Sequence, residues 1–86
     1  MDINKILVIG SGTMGNGIAH VFAQTGYNVV LFDINDSALK NGYSTIEKNL
    51  ARQLKKGAIS EDIVTSTLSN IKTTLELVIH FLIIHF

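Results

Sequence analysis

Three glycines and one acidic residue of this chain have the spacing of a ligand-binding motif. Gly10, Gly12 and Gly15 form a G-x-G-x-x-G turn directly after the apolar run 6–9, and Asp33 ends a second apolar run. A glycine turn that opens a helix presents backbone N–H groups to phosphate oxygens. A carboxylate at the end of the next strand accepts hydrogen bonds from sugar hydroxyls. The pattern therefore predicts a strand, turn, helix, strand and acid that bind a dinucleotide.

Each glycine of this turn has its own predicted role. Gly10 allows the sharp turn out of the strand, Gly12 lets the backbone approach the pyrophosphate, and Gly15 lets the helix pack closely on the strand. The pyrophosphate is expected at the N-terminus of the helix that begins near Thr13. The other turn residues are predicted to contact it mainly through their backbone: Ser11, Thr13 and Met14. The alternative is a glycine-rich turn that binds no ligand.

Asp33 predicts which dinucleotide is bound. Its carboxylate can accept hydrogen bonds from the hydroxyls of the adenine ribose. A 2′-phosphate would meet this negative charge, and no arginine stands nearby in the sequence to receive it. The sequence therefore predicts NAD as the cofactor. The alternative is an ordinary aspartate that begins a turn.

Apolar runs and helical periodicity predict the elements that position these residues. In chain order they are a strand at 6–9, a helix from 13 to about 24, a strand at 28–32, a long helix ending before Gly57, a short helix capped by Ser60 and a strand at 77–84. The first helix is expected to bury one face, formed by Ile18, Val21, Phe22, Met14 and Ala19.

This β-α-β-α-α-β order predicts an α/β fold, because alternating strands and helices form a parallel sheet with right-handed crossovers. It corresponds to the N-terminal half of a doubly wound sheet, a partial Rossmann fold with strand order 3-2-1. The first strand is expected to keep one edge unpaired, which is an aggregation hazard. We therefore expect marginal stability for these 86 residues.

The composition limits the class of protein. Seven basic and seven acidic side chains balance, so no basic surface for nucleic acid is expected. Without cysteine there is neither a disulfide nor a thiolate metal site, which fits a reducing cytoplasm. The N-terminus has no signal-peptide pattern. The longest apolar stretch, 77–86, is too short to span a bilayer, so no membrane partner is expected.

The histidines and a basic cluster are the remaining candidates for chemistry. His20 is predicted to be a structural residue of the first helix. His80 and His85 would point to opposite faces of a strand, so no metal site is predicted. A cluster near the end of the long helix could bind phosphates of a large anionic substrate or match the helix dipole; it contains Arg52, Lys55 and Lys56.

A resemblance sharpens this interpretation. Residues 6–36, ILVIGSGTMGNGIAHVFAQTGYNVVLFDIND, closely resemble the N-terminus of bacterial 3-hydroxyacyl-CoA dehydrogenases, in particular their 3-hydroxybutyryl-CoA branch. The similarity continues through TIEKNLARQLKKGAISED and covers roughly residues 3–76. It implies NAD-dependent interconversion of 3-hydroxyacyl-CoA and 3-ketoacyl-CoA. It also implies NAD contacts from Gly10 to Gly15 and at Asp33, and a position near the CoA for Arg52 and Lys56.

The chain also departs from that family. We expect an NAD-binding half-domain at 1–76 and an aberrant apolar tail at 77–86, where a frameshift or truncation near residue 76 is the simplest account. Leu77-Val78-Ile79 imitates a family strand, but His80 stands where the family has an acid. The family's catalytic histidine, its partner glutamate and the helical domain that forms the dimer have no counterpart here. We therefore expect no catalytic residue and no activity from this chain alone.

Two alternative functions stay open on the sequence. The chain could be a non-catalytic NAD-binding fragment or an inert remnant of a broken gene. It could also be the N-terminus of a dehydrogenase of the 6-phosphogluconate or 3-hydroxyisobutyrate type, because these also carry a GxGxMG turn. The segments HVFAQTGY and EKNL…KKG argue against that family.

Overall fold

A parallel β-sheet carries the glycine turn. The computed structural model describes residues 4–75 and the backbone of residues 82–85. Within these residues the strands are β1 (Lys5–Ile9), β2 (Asn28–Phe32), β3 (Ile71–Thr74) and β4 (Leu82–His85). They lie in the order β3-β2-β1-β4, and every neighbouring pair is parallel. The predicted α/β fold, the N-terminal half of a doubly wound sheet, is confirmed.

Helices connect the strands as parallel crossovers require. They are α1 (Thr13–Gln24) between β1 and β2, and α2 (Asp36–Lys55) and α3 (Glu61–Ser69) between β2 and β3. The side chain of Asn35 caps α2 by accepting a hydrogen bond of 3.0 Å from the Ala38 N–H. Ser60 caps α3 in the same way, and Gly57 follows α2 at a φ of 76°. The predicted helix ends are therefore confirmed. Of the helices among residues 4–75, none combines the length and apolar character that crossing a bilayer requires.

One face of the sheet forms the hydrophobic core. Alternate residues of β1 and β2 pack against α1 and α2. The buried cluster consists of Ile6, Val8, Ala19, Ala23, Val29, Leu31, Leu39, Ile46, Leu50 and Ile71. Because one buried cluster joins residues of α1 and α2 to alternate residues of β1 and β2, both helices cover the same face. This arrangement places the N-termini of α1 and α2 beside each other at the carboxyl edge of the sheet.

The third strand lies elsewhere than predicted. We expected it at 77–84, but β3 is Ile71–Thr74, a mostly polar segment that pairs with β2. Part of the predicted strand, 77–81, lies outside the described residues. The remainder overlaps β4, which pairs with the other edge of β1. The prediction of an unpaired edge on β1 is therefore wrong, because parallel hydrogen bonding occupies both sides of that strand.

The predicted buried face of α1 is partly wrong. Met14 and Val21 are 65% and 62% exposed, whereas Ala19 and Ala23 are fully buried. Ala19 and Ala23 lie four residues apart on one face of α1. Their small side chains let this face pack close to the sheet, so it is the buried face. His20 is buried and forms a 2.8 Å hydrogen bond between its Nε2 and Oε1 of Gln24.

Candidate nucleotide-binding site

The glycine turn and Asp33 meet at the carboxyl edge of the sheet. Ile9 and Phe32, the last residues of β1 and β2, are paired in the parallel register. The N–H of Gly10 donates a hydrogen bond of 2.8 Å to the carbonyl oxygen of Phe32. The chain therefore leaves both strands at the same level, and the residues that follow them become neighbours. This edge is where open α/β sheets bind their ligands.

Backbone geometry requires two of the glycines. Gly10 has a φ of 102°, a conformation that residues with a side chain rarely adopt. A Cβ at Gly15 would fall on the carbonyl oxygen of Gly10, and would lie 2.8 Å from its carbonyl carbon. The predicted tight turn at Gly10 and the close packing of α1 on the turn at Gly15 are thus visible in the structure.

Gly12 lies at an open place on the turn. It precedes α1 with a φ of −65° and a ψ of −172°, an extended conformation that any residue can adopt. A Cβ there would meet no atom of the described residues within 4 Å. No side chain of those residues caps the N-terminus of α1, and Thr13 and Met14 are exposed. The N–H groups and the positive dipole end of α1 therefore face free space, as a phosphate site requires.

Asp33 is held by three hydrogen bonds. Its Oδ2 accepts from the N–H of Ser11 at 3.1 Å and from the Ser11 hydroxyl at 2.9 Å. Its Oδ1 accepts from the N–H of Asn35 at 2.9 Å. These donors, the Ser11 N–H foremost, hold the pKa of Asp33 below its ordinary value of 3.8, although partial burial acts in the opposite direction. The carboxylate is therefore ionised at neutral pH and fixed beside the turn.

Two apolar side chains at the same edge escaped the sequence analysis. Ile34, directly after the acid, is 87% exposed, and Leu75, directly after β3, is 50% exposed. A hydrogen bond of 3.4 Å from the Asp33 N–H to the Thr74 carbonyl joins the two chain segments. Exposed apolar side chains beside the Asp33 carboxylate suit the face of a planar base. The signal available in the sequence was an isoleucine within the polar segment that follows Asp33.

The basic residues proposed for CoA lie apart from this site. Arg52 and Lys56 are exposed at the carboxyl end of α2, and the Arg52 guanidinium donates a 3.5 Å hydrogen bond to the side chain of Asn49. At 1.5 Å per residue, Arg52 lies about 24 Å along the helix axis from Asp36. The structure therefore brings Ser11 and Asp33 together but keeps Arg52 and Lys56 away from them.

Comparison with known proteins gives one family. The family model described as "3-hydroxyacyl-CoA dehydrogenase, NAD binding domain" matches residues 5–80. The 3-hydroxybutyryl-CoA dehydrogenase of Bradyrhizobium diazoefficiens is 52% identical over 69 residues, which are 80% of this chain and 24% of that protein. A probable 3-hydroxybutyryl-CoA dehydrogenase of Bacillus subtilis is 39% identical over 83% of this chain and 25% of its own length. The chain thus spans about a quarter of these relatives.

Solved structures give the same result. The crystal structure of (S)-3-hydroxybutyryl-CoA dehydrogenase from Ralstonia eutropha matches with a TM-score of 0.84 and 40% identity, over 87% of this chain and 26% of that one. The 3-hydroxybutyryl-CoA dehydrogenase of Escherichia coli matches with a TM-score of 0.87 and 32% identity, over 90% and 16%. These matches favour this family over the 6-phosphogluconate type of dehydrogenase. The glycine turn, the acid and the matched residues together place the chain in the NAD-binding domain family of the 3-hydroxyacyl-CoA dehydrogenases.

Proposed function

We propose that this chain is the NAD-binding segment of an oxidoreductase that interconverts 3-hydroxyacyl-CoA and 3-ketoacyl-CoA. The observation that carries the proposal is the ionised Asp33 carboxylate, held by Ser11 beside the open N-terminus of α1. The curated relatives named 3-hydroxybutyryl-CoA dehydrogenase support the acyl-CoA substrate class. NAD, when bound, supplies the hydride chemistry through its nicotinamide ring.

The residues of the turn fit the adenosine half of NAD. The exposed N–H groups at the start of α1, from Gly12 onward, would hold the pyrophosphate, and the space above Gly12 admits it. The Asp33 carboxylate would accept hydrogen bonds from the ribose hydroxyls. Ile34 and Leu75 would contact the adenine ring. A 2′-phosphate would be repelled by the ionised Asp33, so NAD is favoured over NADP.

Calorimetric titration of the 86-residue chain with NAD, and with NADP for comparison, tests this proposal. We expect binding of NAD, weaker binding of NADP, and a loss of NAD affinity of tenfold or more in Asp33→Ala, about the effect of one lost hydrogen bond to a charged group. Asp62→Ala, which removes an exposed carboxylate from the first turn of α3, is the matched control. Equal affinities for NAD in the wild type and Asp33→Ala would contradict the proposed site.

We also propose that the carboxyl end of α2 contacts the CoA part of the substrate. Its basic side chains are exposed and suit phosphate groups; they are Arg52, Lys55 and Lys56. Titration with free CoA should show affinity that falls with salt and falls about threefold in the Arg52→Ala/Lys56→Ala double variant. Lys48→Ala, an exposed lysine in the middle of α2, is the control. An unchanged CoA affinity in the double variant would refute this role.

Two further parts of the proposal concern the whole protein. A longer protein containing this segment is proposed to be a cytoplasmic dimer. Cell fractionation and size-exclusion chromatography test these statements. The 86 residues alone are predicted not to oxidise NADH with acetoacetyl-CoA, and steady turnover by the purified chain would overturn that prediction.

A further inference from the structure

Helix α2 packs against the glycine turn at Gly42. A Cβ at Gly42 would lie 2.7 Å from the carbonyl oxygen of Ser11, 3.2 Å from its Cβ and 3.6 Å from the Cβ of Asn16. A carbon atom cannot lie 2.7 Å from a backbone oxygen that forms no bond to it. Only a residue without a side chain therefore allows α2 to lie where it does.

Ser11 packs against Gly42 and Asn16 on its carbonyl side and donates hydrogen bonds to Asp33 from its N–H and hydroxyl. It is 2% exposed, and its carbonyl oxygen faces Gly42 and accepts a hydrogen bond of 3.5 Å from the Asn16 side-chain amide. Asn16 is itself 7% exposed. The N–H and hydroxyl of Ser11 meanwhile donate to Asp33. One buried residue thus links the packing of α1 and α2 to the orientation of the carboxylate.

We propose that Gly42 is a positioning residue of the nucleotide site, which together with Asn16 fixes Ser11 so that its N–H and hydroxyl aim the Asp33 carboxylate at the ribose. This inference rests on the proposed function, because it assigns a role in the same NAD site. Gly42 acts through Ser11, because the three atoms nearest to a Cβ at Gly42 belong to Ser11 and Asn16. Because Gly42 has no side chain, α2 can pack against Ser11 without displacing it.

A small displacement of Ser11 should have a measurable effect on NAD affinity. To accommodate a methyl group at Gly42, Ser11 or α2 must move by roughly half an ångström. Binding groups have to be held within about half an ångström of their productive positions. A displaced Ser11 would lengthen its bonds to Asp33, which measure 3.1 Å and 2.9 Å. NAD affinity should therefore fall about tenfold in Gly42→Ala, about the effect of losing one hydrogen bond between the ribose and the charged Asp33.

Gly17→Ala is the matched control for Gly42→Ala. Gly17 is also a helical glycine, but a Cβ there would meet no atom of the described residues within 4 Å. Both substitutions gain the same helix propensity. We expect Gly17→Ala to bind NAD like the wild type and Gly42→Ala to bind it about tenfold more weakly, with both variants folded by circular dichroism. Wild-type NAD affinity in folded Gly42→Ala would overturn the inference.

A second measurement needs no NAD. Carbon NMR of the Asp33 carboxyl should show its pKa rising toward the ordinary value of 3.8 in Gly42→Ala, and staying at the wild-type value in Gly17→Ala. A purely structural glycine would not change this pKa in the folded variant. If the wild type binds no NAD, the proposed function fails, and this titration still decides whether Gly42 positions Ser11. An unchanged Asp33 pKa in Gly42→Ala would refute the positioning role.

Asn16→Ala covers the case in which Gly42→Ala does not fold. It removes the hydrogen bond to the Ser11 carbonyl oxygen and adds no volume. We expect NAD affinity about threefold below the wild type, a typical value for one weak neutral hydrogen bond, and a raised Asp33 pKa. If both quantities stay at wild-type values, the enclosure of Ser11 does not position the carboxylate and the inference is wrong.

Discussion

Gly12→Ala separates the binding role of the turn from its structural role. The substitution adds one methyl group at a place where no atom of the described residues lies within 4 Å. The backbone of Gly12, with a φ of −65° and a ψ of −172°, is accessible to alanine. Because alanine is a poorer residue than glycine at the start of a helix, we expect a loss of unfolding free energy of up to about 1 kcal/mol.

The effect on NAD binding should be larger than the effect on stability. A phosphate oxygen bound to a backbone N–H lies about 2.9 Å from the nitrogen, whereas a methyl carbon keeps neighbouring atoms about 3.5 Å away. The methyl group at residue 12 therefore competes with the pyrophosphate for the space above the turn. Losing one hydrogen bond to a charged group costs about 1.5–3 kcal/mol, which corresponds to a roughly tenfold to hundredfold loss of affinity.

Urea unfolding and calorimetric titration with NAD measure the two effects separately. Gly17→Ala is the control, because its methyl group also meets no described neighbour but lies further along α1. We expect Gly12→Ala to remain folded, to unfold at a urea concentration up to about 1 M below that of the wild type, and to bind NAD at least tenfold more weakly. Binding within threefold of the wild type by folded Gly12→Ala would mean that the pyrophosphate does not approach Gly12, and the proposed binding mode would be wrong.

Three further predictions follow from the same geometry. Gly15→Ala should lower the unfolding free energy by about 2 kcal/mol or more in urea titration, since its methyl group falls on the Gly10 carbonyl oxygen; wild-type stability would contradict this. Asp33 should contribute stability above about pH 4 that is lost as the pH falls through its lowered folded-state pKa; Asp33→Asn should remove this dependence, and parallel pH profiles would refute it. ADP-ribose should bind within a few fold of NAD, because the contacts proposed here serve the adenosine half; a hundredfold gap would place the main contacts on the nicotinamide.

The sequence predicted those features of the candidate site that one β-α-β unit and its helix caps determine. The glycine spacing and the acid at the end of β2 identify a β-α-β unit, and the register of β1 and β2 then brings Gly10 and Asp33 together. Capping residues located the helix ends, because a cap acts on backbone groups two or three positions away. The caps depend on neighbouring residues, and the meeting of Gly10 and Asp33 depends only on one β-α-β unit.

The wrong predictions concern strand positions and the buried face of α1, because contacts with residues distant in the sequence determine both. Segment 71–74 has no apolar run, and its pairing with β2 makes it a strand. The apolar composition of 77–84 indicated a strand but not the strand with which it pairs. Residues 82–85, which overlap that segment, pair with the second edge of β1. On α1, close approach to the sheet favoured Ala19 and Ala23 over the larger Val21. The role of Gly42 depends on Ser11, far away in the sequence, and no periodicity reveals it.

Folding and the proposed cofactor binding depend on the same contacts in this segment. Ser11 joins the turn after β1 to the acid after β2, and Gly42 brings α2 against the back of that residue. The adenosine half of the site is therefore assembled only when β1, α1, β2 and α2 have all packed. NAD binding should accordingly raise the unfolding free energy of this whole unit rather than order a single loop. Hydrogen exchange should then slow in α2 as well as in the turn, because Gly42 of α2 packs against Ser11.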